Sequence, residues 1–261
     1  MSAGLIEAGR GRPILFLHGW TMRGALFADQ IARLSDRFHC LAPDLPGHGD
    51  APEGPADLDA AARAVHGLIA ARGLRDVVLL GWSMGAAVAW RLARTHGTGG
   101  ISGLVSVDMS PRIVNGPGWS LGLKGQTAAS IAASTGRFRR DWQGSVGAIA
   151  AGMFAALPGP EGFGFDAACE RIRACDPVAM LAAWESLVAM DERETIGRLP
   201  FPVLAAYGAR SRVYPSEAAS WIAATAPQGA AQGFTNSGHS PHLEEPGAFA
   251  AMVAGFAEGL D

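Results

Sequence analysis

"LLGWSMGAA", residues 79–87, joins an apolar run to a segment of helical periodicity with a serine at the junction. The run it completes, "DVVLLGW" (76–82), reads as a strand buried on both faces. The segment that follows, "MGAAVAWRLARTHG" (84–97), spaces its apolar residues at helical intervals and ends in glycine. Between them stands Gly81-x-Ser83-x-Gly85. A sharp strand-to-helix turn needs that pattern, because the serine is held strained and side chains two residues to either side would strike neighbouring backbone. The helix then aims its positive end at the serine. Ser83 is therefore read as a nucleophile.

The same alternation extends in both directions. "PILFLHG" (13–19), "FHCLAPD" (38–44), "ISGLVSVD" (101–108), "FPVLAAYG" (201–208) and "GAAQGF" (229–234) read as further strands. The intervening segments at 25–37 and 57–73, and those at 216–226 and 246–260, read as helices. A β-α-β-α order of this kind implies an α/β fold, a mostly parallel sheet flanked by helices. The alternation breaks between residues 112 and 199, where helical stretches are joined by Gly and Pro. We expect a core built from 1–111 and 200–261, with 112–199 inserted before the penultimate strand as a helical lid. Such an insertion covers the carboxyl ends of the strands, where open α/β sheets bind ligands.

Bulk properties narrow the field. Of 261 residues, 49% are apolar and 17% charged, and the net charge is −3, which gives no case for a nucleic-acid or anionic-membrane partner. Cys40, Cys169 and Cys175 lack metal-ligand spacing and read as free buried thiols, with no metal and no cofactor implied. The N-terminal apolar run is too short for a signal peptide, and no stretch of about 18 apolar residues suggests a membrane span. The expectation is a soluble, cytoplasmic protein.

Two further parts of a nucleophilic site are placed by their strand ends. The first strong strand closes on "LHGW", a turn that sets the Trp20 backbone N–H opposite that of Met84, so the two read as an oxyanion hole. Trp82, beside Ser83, is the leading pocket residue. Of seven histidines, His239 in "NSGHSPHLEEP" is the base candidate, since it lies between the last strand and the last helix and follows the serine in the required order. His18 and His48 read as turn-shaping, His242 as a surface or lid contact, and His39, His66 and His96 as bystanders.

"LFLHGW", "DLPGHG", the tryptophan of "GWSMG", an arginine-bearing helical insertion and "GHSPHLEEP" together resemble the α/β-hydrolase superfamily across the whole chain. Within it the chain is most similar to the pimeloyl-acyl-carrier-protein methyl ester esterases of biotin synthesis. That resemblance implies an α/β-hydrolase fold, a Ser–acid–His triad and an ester substrate, either small or bound to an acyl carrier protein. In the family the acid follows the strand matching "PVLAAYG", and here that place holds Ser211, flanked by Arg210 and Arg212. Asp108 ends the preceding strand, a position from which some α/β-hydrolases draw their acid, and we assign the acid there. Turn capping by Asp108, or a lid carboxylate such as Asp176 or Asp191, stays open.

From Arg112 to Arg140 the insertion carries Arg112, Lys124, Arg137, Arg139 and Arg140 and no acidic residue. A one-sided basic patch suits an acidic partner, and Arg137, Arg139 and Arg140 are the candidate docking residues for the carrier protein that the resemblance implies. Pairing with the acidic second half of the insertion is the alternative. The expected activity is cofactor-free carboxylic ester hydrolysis through an acyl-enzyme. A general short-chain esterase, or a non-catalytic binding module with a degenerate triad, remains as the rival reading, and the oligomeric state is open.

Overall fold

The computed structural model, which describes residues 4–51 and 54–260, turns the apolar runs into seven strands. These are β1 (Leu5–Ala8), β2 (Pro13–Leu17), β3 (His39–Pro43), β4 (Val77–Trp82), β5 (Ile101–Val107), β6 (Val203–Gly208) and β7 (Gly229–Phe234). They form one sheet in the order β1-β3-β2-β4-β5-β6-β7. Only β1 runs antiparallel to its neighbour; every other pairing is parallel.

Both faces of the sheet are covered. Leu15, Leu17, Val77 and Leu79 pack on one side against α2 (Leu58–Ala71), α3 (Met84–His96) and α9 (Ser216–Thr225). The alternate residues Ile14, Phe16, Val78 and Leu80 pack on the other against α1 (Ala28–Leu34) and α11 (Pro246–Glu258). Period-two side-chain direction sends successive residues to opposite faces, so double burial makes the strands read as continuous apolar runs.

From β2 the chain crosses first to β3 on one side and then to β4 on the other. That reversal makes the carboxyl ends of β2 and β4 a topological switch point, the place where such sheets bind ligands. Between β5 and β6 the chain inserts α4 (Ala128–Arg140), α5 (Trp142–Gly152), α6 (Phe165–Arg173), α7 (Pro177–Ala189) and the short α8 (Arg193–Ile196). This insertion carries no named strand among the described residues.

One expected helix is refined, and one strand goes beyond the expected set. The helix read over 25–37 is a 3-10 turn at Gly24–Phe27 followed by α1, which ends at Leu34, where the Arg37 and Phe38 N–H groups fold back onto its carbonyl. Strand β1 has only four residues at the sheet edge, too few for a periodic signal.

Candidate active site

Ser83 lies between the last residue of β4 and the first of α3, with φ 52° and ψ −118°. A non-glycine residue at positive φ is strained and persists where its surroundings hold it. Here the Ser83 N–H donates to Val107 O at 2.9 Å, and its carbonyl accepts from Ala86 N–H at 2.9 Å. The flanking glycines are steric necessities. A Cβ at Gly81 would collide with the Gly85–Ala86 backbone, and one at Gly85 with the Leu17 carbonyl.

One strand over, Asp108 follows β5, also at positive φ (43°), and its N–H donates to Ala206 O at 2.8 Å. Its carboxylate is buried and accepts hydrogen bonds on both oxygens. Oδ2 receives His239 Nδ1 at 2.5 Å and Ser211 Oγ at 2.7 Å, while Gly208 N–H reaches Oδ1 at 3.4 Å. His239 is brought there by the turn after β7. Its carbonyl accepts from Trp82 Nε1 at 2.7 Å, and the preceding Gly238 N–H donates to Glu244 Oε2 at 2.7 Å. Tyr214 stands on another side, its ring centroid 5.9 Å from the imidazole. Burial first, and then the Asp108 charge, push its phenol far above the ordinary value, so it stays protonated.

The alternative carboxylates are occupied elsewhere. Asp176 accepts from Val178 N–H at the start of α7, and Asp191 pairs with Arg193 at 2.6 Å. Asp108 therefore stands against His239 from the strand end next to the one that carries Ser211.

The other histidines separate by environment. His18 donates from Nδ1 to Gly19 O and accepts Leu45 N–H at Nε2, stitching the turn after β2 to the one after β3. Burial pushes it down to about 4, so it is neutral. His48, against His18, is held at about 3 by burial and then by that neighbour. His242 corrects the expectation of a surface or lid contact. It is 1% exposed and packs among Trp82, Phe27 and Phe249, because the "SPHLE" segment forms a short helix, α10 (Pro241–Glu244), that turns it into the core. His39 pairs with Glu7, and His66 stacks on His96.

Ser83, His239, Trp82 and Trp20 line one cavity of about 310 Å³. Its far side comes from the insertion: Phe138 and Arg137 on α4, Ile149 on α5 and Met153 just after it, Trp184 on α7. Trp20, Phe138, Trp142 and Trp184 pack together in tilted and edge-to-face contacts with centroid separations of 5.2–6.3 Å. Most of the wall is therefore aromatic and aliphatic, with Ser134, Gln126 and Arg137 as polar points. The three candidate docking arginines differ. Arg139 pairs with Glu185 at 2.6 Å on the surface, whereas Arg137 lines the cavity and all three are exposed.

Met84 is the first residue of α3, so its N–H has no intrahelical acceptor. Trp20 occupies the second position of the Gly19–Met22 turn, closed by Met22 N–H to Gly19 O, a bond that leaves the Trp20 N–H outside it. No cluster of three or more potential metal ligands occurs among the described residues, and Cys40, Cys169 and Cys175 are free and buried. No helix among the described residues is long and apolar enough to cross a membrane.

Two contributors carry no sequence signal for these roles: Ser211 bonds Asp108, 103 residues away, and Glu244 joins the nearby Gly238 N–H to the distant Ala155 N–H.

Residues 14–252 match the alpha/beta hydrolase family. The chain is 30% identical over 247 residues to a pimeloyl-acyl-carrier-protein methyl ester esterase of Chromobacterium violaceum, covering 94% of each chain. It is 28% identical to the protein of the same name from Vibrio cholerae, covering 96% of each. Among solved structures, the esterase RhEst1 from Rhodococcus sp. superposes with a TM-score of 0.82 at 26% identity, over 98% of this chain and 94% of that one. An esterase from Exiguobacterium antarcticum shares the fold with a TM-score of 0.89 at 23% identity, over 98% of this chain and 95% of the other.

Proposed function

The chain belongs to the alpha/beta hydrolase family and is an ester hydrolase, and from that premise we propose a serine carboxylesterase with the triad Ser83, His239 and Asp108. The observation that carries the proposal is the 2.5 Å approach of His239 Nδ1 to a buried Asp108 oxygen, beside a serine at a strained elbow in the same cavity.

Ser83 Oγ attacks the ester carbonyl as His239 takes its proton. The Trp20 and Met84 N–H groups receive the developing oxyanion. His239 then protonates the departing alkoxide, releasing the alcohol and leaving the acyl group on Ser83. Water gives its proton to the same histidine, attacks the acyl carbonyl, and frees the acid and the serine. Asp108 holds the imidazole in the tautomer that presents Nε2 to the reaction and stabilises the imidazolium between transfers.

For the substrate we infer the methyl ester of a medium-length acyl chain borne on an acyl carrier protein, the substrate named for the curated relatives. A cavity of about 310 Å³ supports this reading. It lies at the low end of the roughly 300–1,000 Å³ of small-molecule pockets, enough for an apolar chain but not for the carrier's whole prosthetic arm. The tether then leaves past Arg137, where α4 meets solvent. Residues 112–199 act as the lid over the acyl chain, and Arg137 and Arg140 face the acidic carrier. Arg139, already paired with Glu185, contributes less.

The test compares kcat/KM on methyl pimeloyl-acyl-carrier protein with that on free short-chain p-nitrophenyl esters. Strong preference for the carrier-bound ester, lost on reversing the charges of Arg137 and Arg140, is the expected result. Hydrolysis of the small esters alone would remove the carrier-bound substrate. Failure of Ser83 to react with a fluorophosphonate probe would remove the serine mechanism.

A further inference from the structure

Ser211 stands where an acid was expected, yet it is 3% exposed and points its oxygen at the acid used instead. We propose that Ser211 is a positioning residue for the triad, its hydroxyl fixing the Asp108 oxygen that receives the His239 N–H. The inference rests on the proposed triad.

The direction of the hydroxyl proton follows from counting. A serine hydroxyl has one proton to give and two lone pairs to receive. Val213 N–H approaches Ser211 Oγ at 3.2 Å and Tyr214 N–H at 3.4 Å, so both lone pairs are faced by backbone donors. The remaining bond, to Asp108 Oδ2 at 2.7 Å, must carry the Ser211 proton, since an ionised carboxylate can only accept. The loop itself is braced: Lys124 Nζ donates to Ser211 O at 3.1 Å, and Lys124 N–H to Val213 O at 2.9 Å. The hydroxyl is thus held by the chain around it before Asp108 is considered.

Asp108 has reason to need such a partner. It sits at φ 43°, a strained backbone for a non-glycine residue, and among the described residues its other oxygen has only the long 3.4 Å contact from Gly208 N–H. Without Ser211, the carboxylate would be oriented chiefly by the histidine it is meant to orient. The hydroxyl also has an electrostatic consequence. A donor on Oδ2 shares the negative charge that faces His239, so alignment is gained and some stabilisation of the imidazolium is given up.

Ser211→Ala removes the hydroxyl and also takes the acceptor from the Val213 and Tyr214 N–H groups, so the pH profile and the hydroxyl-retaining Ser211→Thr separate positioning from local structural loss. The groups facing the imidazole are Asp108, Tyr214, which stays protonated, and His242, which stays neutral, so neither of the last two supplies an acidic limb near neutrality. In Ser211→Ala, kcat should fall by about 3–10-fold through looser alignment. The acidic limb of kcat/KM should move to higher pH by roughly half a unit, because an unshared carboxylate holds the imidazolium more strongly. Ser211→Thr, which keeps the hydroxyl, should restore the limb even if packing lowers its thermal stability. Asp108→Ala is run alongside. If Asp108→Ala inactivates while Ser211→Ala leaves both kcat and the limb unchanged, the positioning role is overturned and the triad stands. If Asp108→Ala stays active, the triad and the inference fall together.

Discussion

Asp108 meets two side chains from different strand ends on a single oxygen, His239 at 2.5 Å and Ser211 at 2.7 Å. Ser211 lies outside the proposed proton path, so Asp108 and Ser211 should differ sharply on mutation. Removing the carboxylate should lower kcat by about 10⁴, as in the general triad template, because the imidazole loses both its tautomer and its counter-charge. Steady-state kinetics of Asp108→Ala on a p-nitrophenyl ester read this directly, and a loss no greater than that of Ser211→Ala would move the acid elsewhere. Ser83 was legible from the sequence because its signature is local, a buried strand, two flanking glycines and a helix start, although the backbone that excludes a side chain at Gly85 is the distant Leu17 carbonyl. The Asp108–Ser211 contact was not. It joins positions 103 apart in sequence, and its geometry depends on β5 and β6 lying side by side.

The inserted helices are tied to the core at two kinds of joint. At the end of the insertion Glu192, fully buried, accepts Arg91 Nε of α3 at 2.8 Å and Thr195 Oγ1 at 2.8 Å, while its N–H donates to Pro111 O. Nearer the cavity Glu244 receives the N–H groups of both Gly238 and Ala155, and Arg212 donates to the carbonyls of Ala151 and Phe154. The second joint therefore couples α5's C-terminal end to the loop that holds His239. Truncating Glu192 leaves the buried Arg91 guanidinium with Asp59, at 2.7 Å and more than half exposed, as its remaining carboxylate, so the loss should stay below the roughly 3–5 kcal/mol of a buried charge left wholly unpaired. Glu192→Ala should lower the unfolding free energy measured by urea titration by about 1–3 kcal/mol, and a change under about 0.5 kcal/mol would mean that Asp59 alone satisfies Arg91. The limits of the insertion could be read from where strand periodicity stops and resumes. Its attachments could not, since glutamates at 192 and 244 look like ordinary surface charge until packing buries the first fully and the second in part.

Across the molecule, three imidazoles are enclosed where a charge would be costly: His18, pushed down to about 4, and His48 and His242, each to about 3. Burial is the leading cause in every case. All three are neutral in the fold but would bind protons in the unfolded chain below about pH 6.5. The unfolded state then takes up protons that the folded state refuses. Their contribution to stability is fully present above that value and is lost as pH falls from about 6.5 toward 3–4, at up to about 1.4 kcal/mol per pH unit for each histidine. His242 isolates the effect. Neither of its ring nitrogens has a hydrogen-bond partner among the described residues, and its neighbours Trp82, Phe27 and Phe249 are aromatic. His242→Phe gives up no polar contact among the described residues and puts a slightly larger aromatic ring in a packed site, so stability at pH 7 should be higher or within about 1 kcal/mol of the parent. Between pH 6 and pH 4.5 its stability should decline less steeply than that of the parent by about 1.4 kcal/mol per pH unit, the effect of one proton. Urea unfolding at several pH values measures both quantities. An unchanged slope would mean that His242 is protonated in the folded protein, and a loss above about 1 kcal/mol at pH 7 would mean that its nitrogens find partners in bound water.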